Sequence, residues 1–396
     1  MQRKWFGVVL ASLLINTSYG TLSYAFSVLV TKSGPGGEFG AAWVSGGFAL
    51  ALLVSGLCAI FVGTVADLFG TRRVMAAGAV IGACGLALVG VCQERWQLLL
   101  VMLVLNGPAM AATFYEPVYV LMNRWFEPRE RGRAYGVLTL LSGFSITIFT
   151  PLTRWLVHEL GWRQAVGVLA LILLGVGTLI PLLLREPPHA ASHARPSGPR
   201  AFLAESREGI RHTNAAFWLF TAAFFAATVA FNGYQFHMVA QLETRGFHEA
   251  DVANVIALTG IISLPARLIL PVMSGRAPSA ALLGICLAIL GAAAWIAASA
   301  DAWWQVWLYV AVFGVVFGSV YPLRALAVSE RFSGPYFGRI IGIQALFVAF
   351  GRSLGPLTIG LIGTDEASYQ LGFRLAGAAL FVSAMATWLA LRRSKT

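Results

Sequence analysis

The sequence predicts an all-α polytopic membrane protein of twelve transmembrane helices in two six-helix halves. Three observations predict it. Of 396 residues, 58% are apolar and 11% are charged, against about a quarter charged in an ordinary soluble chain. The apolar residues gather in twelve runs, each close to the ~20 residues that a helix needs to cross hydrocarbon. The basic residues collect in the gaps between alternate runs. A soluble two-domain protein of this length could not hide that much apolar surface from water. Disorder is excluded because it requires low apolar content. Lipid offers no partner to backbone N–H and C=O groups, so the runs are read as helices.

Span one, 6–30, follows Arg3 and Lys4. It is longer than a signal-peptide core and has no clear small-residue cleavage site. It ends in Tyr24-Ala25-Phe26. Span two, 41–66, follows Phe39-Gly40 and leads into Gly63-Thr64-Val65-Ala66-Asp67-Leu68-Phe69-Gly70-Thr71-Arg72-Arg73. Span three covers 74–92. Span four, 98–122, carries Tyr115-Glu116-Pro117. Pro117 has no N–H to donate and predicts a kink one turn earlier. Span five, 135–156, contains Pro151 and is followed by Gly161-Trp162-Arg163. Span six covers 164–184. The longest polar stretch, 185–214, holds Pro187, Pro188, Pro196 and Pro199 and reads as a linker that ends in a short surface helix near 200–211. Span seven, 215–241, includes Tyr234-Gln235-Phe236-His237. Span eight, 252–273, carries Pro265-Ala266-Arg267, and span nine covers 280–299. Span ten, 303–328, opens on Trp303-Trp304, Trp307 and Tyr309, an interfacial aromatic belt. Span eleven, 340–362, holds Arg352 and Pro356. Span twelve, 372–391, begins Gly372-Phe373-Arg374. The domains are therefore 1–184, a linker at 185–214, and 215–396. Tyr24-x-Phe26 against Tyr234-x-Phe236, and Pro151 with Gly161 against Pro356 with Gly372, argue for an internal repeat of six spans.

With the N-terminus placed in the cytoplasm, nineteen Lys and Arg fall on that side and six on the other. That bias predicts both termini in the cytoplasm of a plasma (bacterial inner) membrane. It also explains the net charge of +11 without a nucleic-acid partner, since no basic face forms. Cys58, Cys84, Cys92 and Cys286 have no metal-ligand spacing and read as small buried residues, so neither a metal nor a cofactor is expected.

The Gly63–Arg73 loop resembles the signature of the major facilitator superfamily, Gly-x-Leu-Ala-Asp-Arg-x-Gly-Arg-Arg, with Leu68 and Thr71 in place of basic residues. Trp125 to Gly136, Gly161-Trp162-Arg163, His237 and Arg267 resemble the monocarboxylate-transporter and oxalate–formate-exchanger branch. The resemblance implies the major facilitator fold, an anionic substrate bound at Arg267, and a gating role for Gly63, Asp67, Gly70, Arg72 and Arg73, with Arg124 as a partner of Asp67. It also implies that Asp67 braces the N-terminus of span eleven. The sequence departs from the branch at Ser263, where other members carry an acid. The second copy of the loop is reduced to Ser274-Gly275-Arg276-Ala277-Pro278.

Charges within spans default to function because they are costly there. Four are present: Glu116, Arg267, Arg324 and Arg352. Arg352 lies roughly 18 Å into its span at about 1.5 Å per residue. It reads either as a substrate ligand or as half of a structural ion pair. Arg324 sits near the end of its run and reads either as a site residue or as a side chain that snorkels to the interface. Glu116 reads either as a proton-carrying group or as a fixed partner of an arginine. His237, the one histidine within a span, reads either as an anion or proton ligand or as a satisfied interface residue. Tyr119, Asn232 and Tyr24 are candidates to line the cavity.

These features predict a secondary transporter, not an enzyme, that moves a small monocarboxylate-like anion by alternating access, by proton symport or by exchange. The alternative is an exporter of drugs, xenobiotics or other metabolites on the same fold. No Gly-x4-Gly-Lys-Ser/Thr element for a primary pump appears. The expected partners are the anion, a proton and membrane lipid, and the expected state is a monomer.

Overall fold

The computed structural model describes residues 2–184, 199–363 and 365–392. Residues 185–198 of the expected linker lie outside the described residues. Among those described, the secondary structure is helical throughout.

Twelve helices are long and apolar enough to cross a membrane. Their bounds are Lys4–Leu29, Gly36–Phe69, Thr71–Val89, Arg95–Trp125, Pro128–Leu160, Trp162–Leu183, Ala215–Phe236, Asn254–Met273, Ser279–Ala298, Trp303–Phe332, Phe337–Ile362 and Glu366–Ala390. The protein is thus an integral membrane protein of twelve spans. Several spans run past the ends of their apolar runs, two of them near the candidate site. Span five starts at Pro128, where a missing N–H is harmless at a helix start, and span ten continues to Phe332.

The chain forms two compact units. The first comprises Met1–Glu127, Val137–His212 and Phe332–Leu346. The second comprises Pro128–Gly136, Thr213–Arg331 and Phe347–Thr396. Each unit takes in the start of a span, and a glycine permits it. A Cβ on Gly63 would fall 2.1 Å from the Gly338 carbonyl oxygen in the first unit. A Cβ on Gly132 would fall 2.2 Å from that of Pro271 in the second. Glycine alone lets helix backbones approach so closely.

In the first unit, spans three and six pack along one another, span two packs on span four, and span one on span six. In the second unit the same pattern recurs: nine with twelve, eight with ten, seven with twelve. Small residues make the long seams, with Gly177 against Ala79 in one and Gly291 against Gly377 in the other. Leu171, Leu182, Leu361 and Met385 are exposed on outer faces, as lipid-facing residues are. Cys92 and Cys286 are buried as expected, whereas Cys84 is exposed on span three. Burial pushes the Cys92 thiol up, against the pull of Arg163.

Candidate functional site

Two helices in corresponding positions of the repeat are broken. In span four the helix Gly107–Thr113 stops, Phe114 is extended at φ −79° and ψ −160°, and a new helix runs Tyr115–Trp125. In span ten, Trp303–Phe317 stops and Val320–Phe332 begins. The cause is the same. Pro117 and Pro322 cannot donate to the carbonyl four residues earlier and clash with it, so each span divides at that point. A half-helix N-terminus inside the membrane presents N–H groups and the positive end of a helix dipole. Sequence reading found the kink at Pro117 and missed its counterpart, although Tyr115-Glu116-Pro117 and Val320-Tyr321-Pro322 carry the signal.

In the first unit the break holds Glu116, half-buried in the first turn of the new helix. Around it stand aromatic rings. Tyr19 stacks on Phe114 at 3.9 Å, Tyr115 stacks on Tyr119 at 5.6 Å, and Tyr24 lies 6.1 Å from Tyr19. The Tyr115 hydroxyl is 2.7 Å from Ser142 Oγ. Tyr119 is fully buried, and Tyr24 is half-buried.

In the second unit the break is surrounded by arginines. Arg267 lies along Gly318, where an added Cβ would meet Arg267 Cγ at 2.7 Å. The Ser319 hydroxyl donates to the Ala266 carbonyl and ties span ten to span eight. The Arg352 guanidinium lies 5.0 Å from the centre of the Tyr321 ring. Arg324 lies 5.8 Å from the Phe224 ring, which meets Tyr321 edge-on at 6.1 Å. One broken helix therefore gathers Arg267, Arg324 and Arg352 from three spans. Arg324 is 1% exposed, and its helix runs on for two further turns. Its side chain is thus enclosed by protein rather than extended to the surface.

His237 and Asn232 stand nearer the end of span seven. His237 ends the helix, and its Nε2 is 2.9 Å from the Pro356 carbonyl oxygen of span eleven. Asn232 donates to the Thr228 carbonyl at 2.7 Å within its own helix. Neither is brought to the Gly318 break by any contact described above. The interface reading of His237 gains this hydrogen bond.

The Gly63–Arg73 loop forms a cap. Asp67 Oδ1 accepts from the Gly338 N–H and Oδ2 from the Arg339 N–H, both at 3.1 Å. Arg124 Nη2 lies 3.4 Å from Asp67 Oδ1 and 3.3 Å from the Ala66 carbonyl. A carboxylate on the first amides of a helix answers its orphan donors and its dipole. Gly70 makes the turn at φ +98°. Arg72 donates to the Pro181 carbonyl at 2.6 Å and to that of Leu182 at 2.9 Å, at the end of span six. Arg73 is exposed. In the second unit, Arg131 donates to Ser329 Oγ at 3.0 Å, and Glu330 accepts from the amide and hydroxyl of Ser279 at the start of span nine. Sequence reading did not anticipate this second set, because its partners come from the ends of three separate spans. Among the described residues, no group of three or more metal-ligating side chains comes together.

The sequence model of the Major Facilitator Superfamily matches residues 6–356. The chain belongs to the major facilitator superfamily. Curated relatives within it are monocarboxylate transporters. Monocarboxylate transporter 4 of Gallus gallus is 23% identical over 394 residues, covering 96% of this chain and 81% of that one. Monocarboxylate transporter 13 of Bos taurus is 26% identical over 321 residues, covering 79% and 72%. Solved structures show the same superfamily fold. The human organic anion transporter MFSD10 (TETRAN) superposes with a TM-score of 0.77 at 15% identity, covering 98% of this chain and 99% of that chain. The Escherichia coli fucose:proton symporter FucP superposes at 0.73 with 14% identity, covering 96% and 98%. The protein is accordingly a transporter of the major facilitator superfamily and not an enzyme.

Proposed function

We propose that this protein moves a small monocarboxylate-like anion by alternating access, with proton coupling. The observation that carries the reading is the gathering of Arg267, Arg324 and Arg352 around the span-ten break. Three cations within membrane-spanning segments make the local potential positive, and a guanidinium offers a carboxylate two parallel donors. Arg267 is the principal substrate ligand, with Arg352 beside it. The curated relatives are named as monocarboxylate transporters, one structural neighbour as an organic anion transporter and another as a proton symporter, which supports both anion and proton.

Glu116 carries the proton in this reading. It sits at a half-helix N-terminus amid Tyr19, Tyr115 and Tyr119. His237, bonded to span eleven, assists by linking the ends of two spans. Tyr24, Tyr119 and Asn232 shape the path. Asp67, with Arg124 and the loop glycines, latches the start of span eleven and releases it during the cycle. The chain works as a monomer with both termini in the cytoplasm.

The test is uptake by proteoliposomes of radiolabelled monocarboxylates, dicarboxylates and cationic dyes, with and without a proton gradient. Saturable monocarboxylate uptake that an inward proton gradient accelerates is expected. Dye movement without anion uptake would instead establish the exporter alternative.

A further inference from the structure

The linker helix, Pro199–Arg211, is the one described helix whose two sides differ so sharply in chemistry without crossing the membrane. Its sequence is Pro-Arg-Ala-Phe-Leu-Ala-Glu-Ser-Arg-Glu-Gly-Ile-Arg. Helical spacing places Phe202, Ser206 and Gly209 on one stripe. This stripe faces the protein. Phe202 stacks on Phe61 of span two at 6.3 Å, Ser206 is buried, and a Cβ on Gly209 would fall 2.7 Å from Arg339 Cβ. Just beyond the helix, His212 stacks on Tyr336 at 4.1 Å.

The next stripe is apolar yet open. Leu203 is 48% exposed and Ile210 is 44% exposed. On span two, Phe61, on which Phe202 stacks, and Leu57 one turn before it are exposed as well, so apolar surface lies open on both docked helices. Phe61 lies about 12 Å before the end of its helix at ~1.5 Å per residue. The linker helix is thereby held at the depth of the headgroup and acyl boundary, where interfacial helices lie. Beyond the apolar stripe, spacing places Arg200, Arg207 and Arg211 in a row, all exposed. Glu208 engages Arg211 at 3.1 Å and falls on the far side of the row.

We infer that the linker helix is a binding site for anionic phospholipid headgroups. Leu203 and Ile210 enter the acyl boundary, and Arg200 and Arg207 reach headgroup phosphates. Charge complementarity selects this occupant: an apolar stripe bordered by arginines fits a lipid surface with negative headgroups. Each basic side chain near an anionic surface is worth about a five-fold preference, so these two favour anionic over neutral lipid on the order of thirty-fold. The helix also rests on the first turn of span eleven, the turn that Asp67 caps. Headgroup binding therefore steadies the same helix start. The inference does not rest on which substrate is carried, and its test requires no transport.

The full-length protein is placed in vesicles of phosphatidylcholine alone, or with a third replaced by phosphatidylglycerol, and hydrogen exchange is followed at residues 199–211. The amides are expected to exchange at least ten-fold more slowly in the anionic vesicles, a margin within the thirty-fold preference. High salt should abolish the difference in the unmodified protein. The double variant Arg200→Gln, Arg207→Gln should lose it too, while keeping wild-type exchange in neutral vesicles. Equal exchange in both vesicles overturns the site. So does a difference that survives high salt, or one reproduced in neutral vesicles by soluble glycerol phosphate, which would mark a free-anion site instead.

Discussion

Arg267 is positioned by its stem as much as by its charge. Its Cγ lies where a side chain on Gly318 would be, so the broken turn of span ten fixes the direction of the guanidinium. Arg267→Lys keeps the charge and loses the planar fork. Monocarboxylate affinity should fall by about 2 kcal/mol, the lower end of the ~2–5 kcal/mol for removing one partner of a buried charged pair. Binding measured by calorimetry in detergent checks it, and wild-type affinity in the variant removes the clamp. Glu116→Gln keeps the shape of the span-four break and removes the titrating group. In wild type, uptake should rise as external pH falls, because a proton enters with the anion. In the variant, uptake should stay level across the same range while exchange of anions persists. A wild-type pH profile in Glu116→Gln would relieve this residue of the coupling role. Asp67→Asn keeps one acceptor oxygen and turns an NH2 donor toward the other amide, so one charge-assisted hydrogen bond becomes neutral and the other is lost, about 1–3 kcal/mol in all. Transport should drop about ten-fold with substrate binding retained, because the change acts on conformer populations. Loss of binding instead would place Asp67 in the substrate site.

At the scale of elements, the breaks in spans four and ten are where the proposed site residues gather. An unbroken helix satisfies its own amides and leaves none for a ligand. Spans four and ten interrupt that ladder, at Phe114 and at Gly318–Ser319. Pro117 and Pro322 sit within the first turn of their new helices, where proline is tolerated, so the strain of a mid-helix proline, ~3 kcal/mol, is largely avoided by the break itself. Pro322→Ala should raise thermal stability by no more than about 1 kcal/mol for that reason. It should nonetheless slow transport, since a continuous helix closes the gap at Gly318. Calorimetry and uptake on the same preparation separate the two effects. A variant with unchanged transport would show that the break is only structural.

At the scale of the molecule, orientation is the open quantity that the charge pattern addresses. A reporter active only outside the cytoplasm, fused at residue 200, should stay silent, because nineteen of the basic residues lie on one side against six on the other. Full reporter signal would invert the topology. Ligand addition offers a second measurement on the whole protein. A monocarboxylate at a hundred times its Kd should stabilise the fold by about 2.7 kcal/mol, while a cationic dye should have no effect.

The sequence by itself determined the twelve spans, the linker helix and the family. Each follows from a local pattern: apolar length against the bilayer, proline and charge between runs, and the contiguous Gly63–Arg73 motif. It also singled out the costly residues, Glu116, Arg267, Arg324 and Arg352, because a charge within an apolar run is visible without a fold. The tertiary structure alone decided which of them meet. Arg267, Arg324 and Arg352 come from three spans far apart in the chain, and only the packing of spans eight, ten and eleven on the Gly318 break gathers them. The burial of Arg324 beside Phe224 of another span is a matter of packing, which hydropathy does not report. The resemblance named Arg124 and the start of span eleven as partners of Asp67, but which backbone amides it caps, those of Gly338 and Arg339, no side chain could announce. Only the approach of Gly338 to Gly63 could.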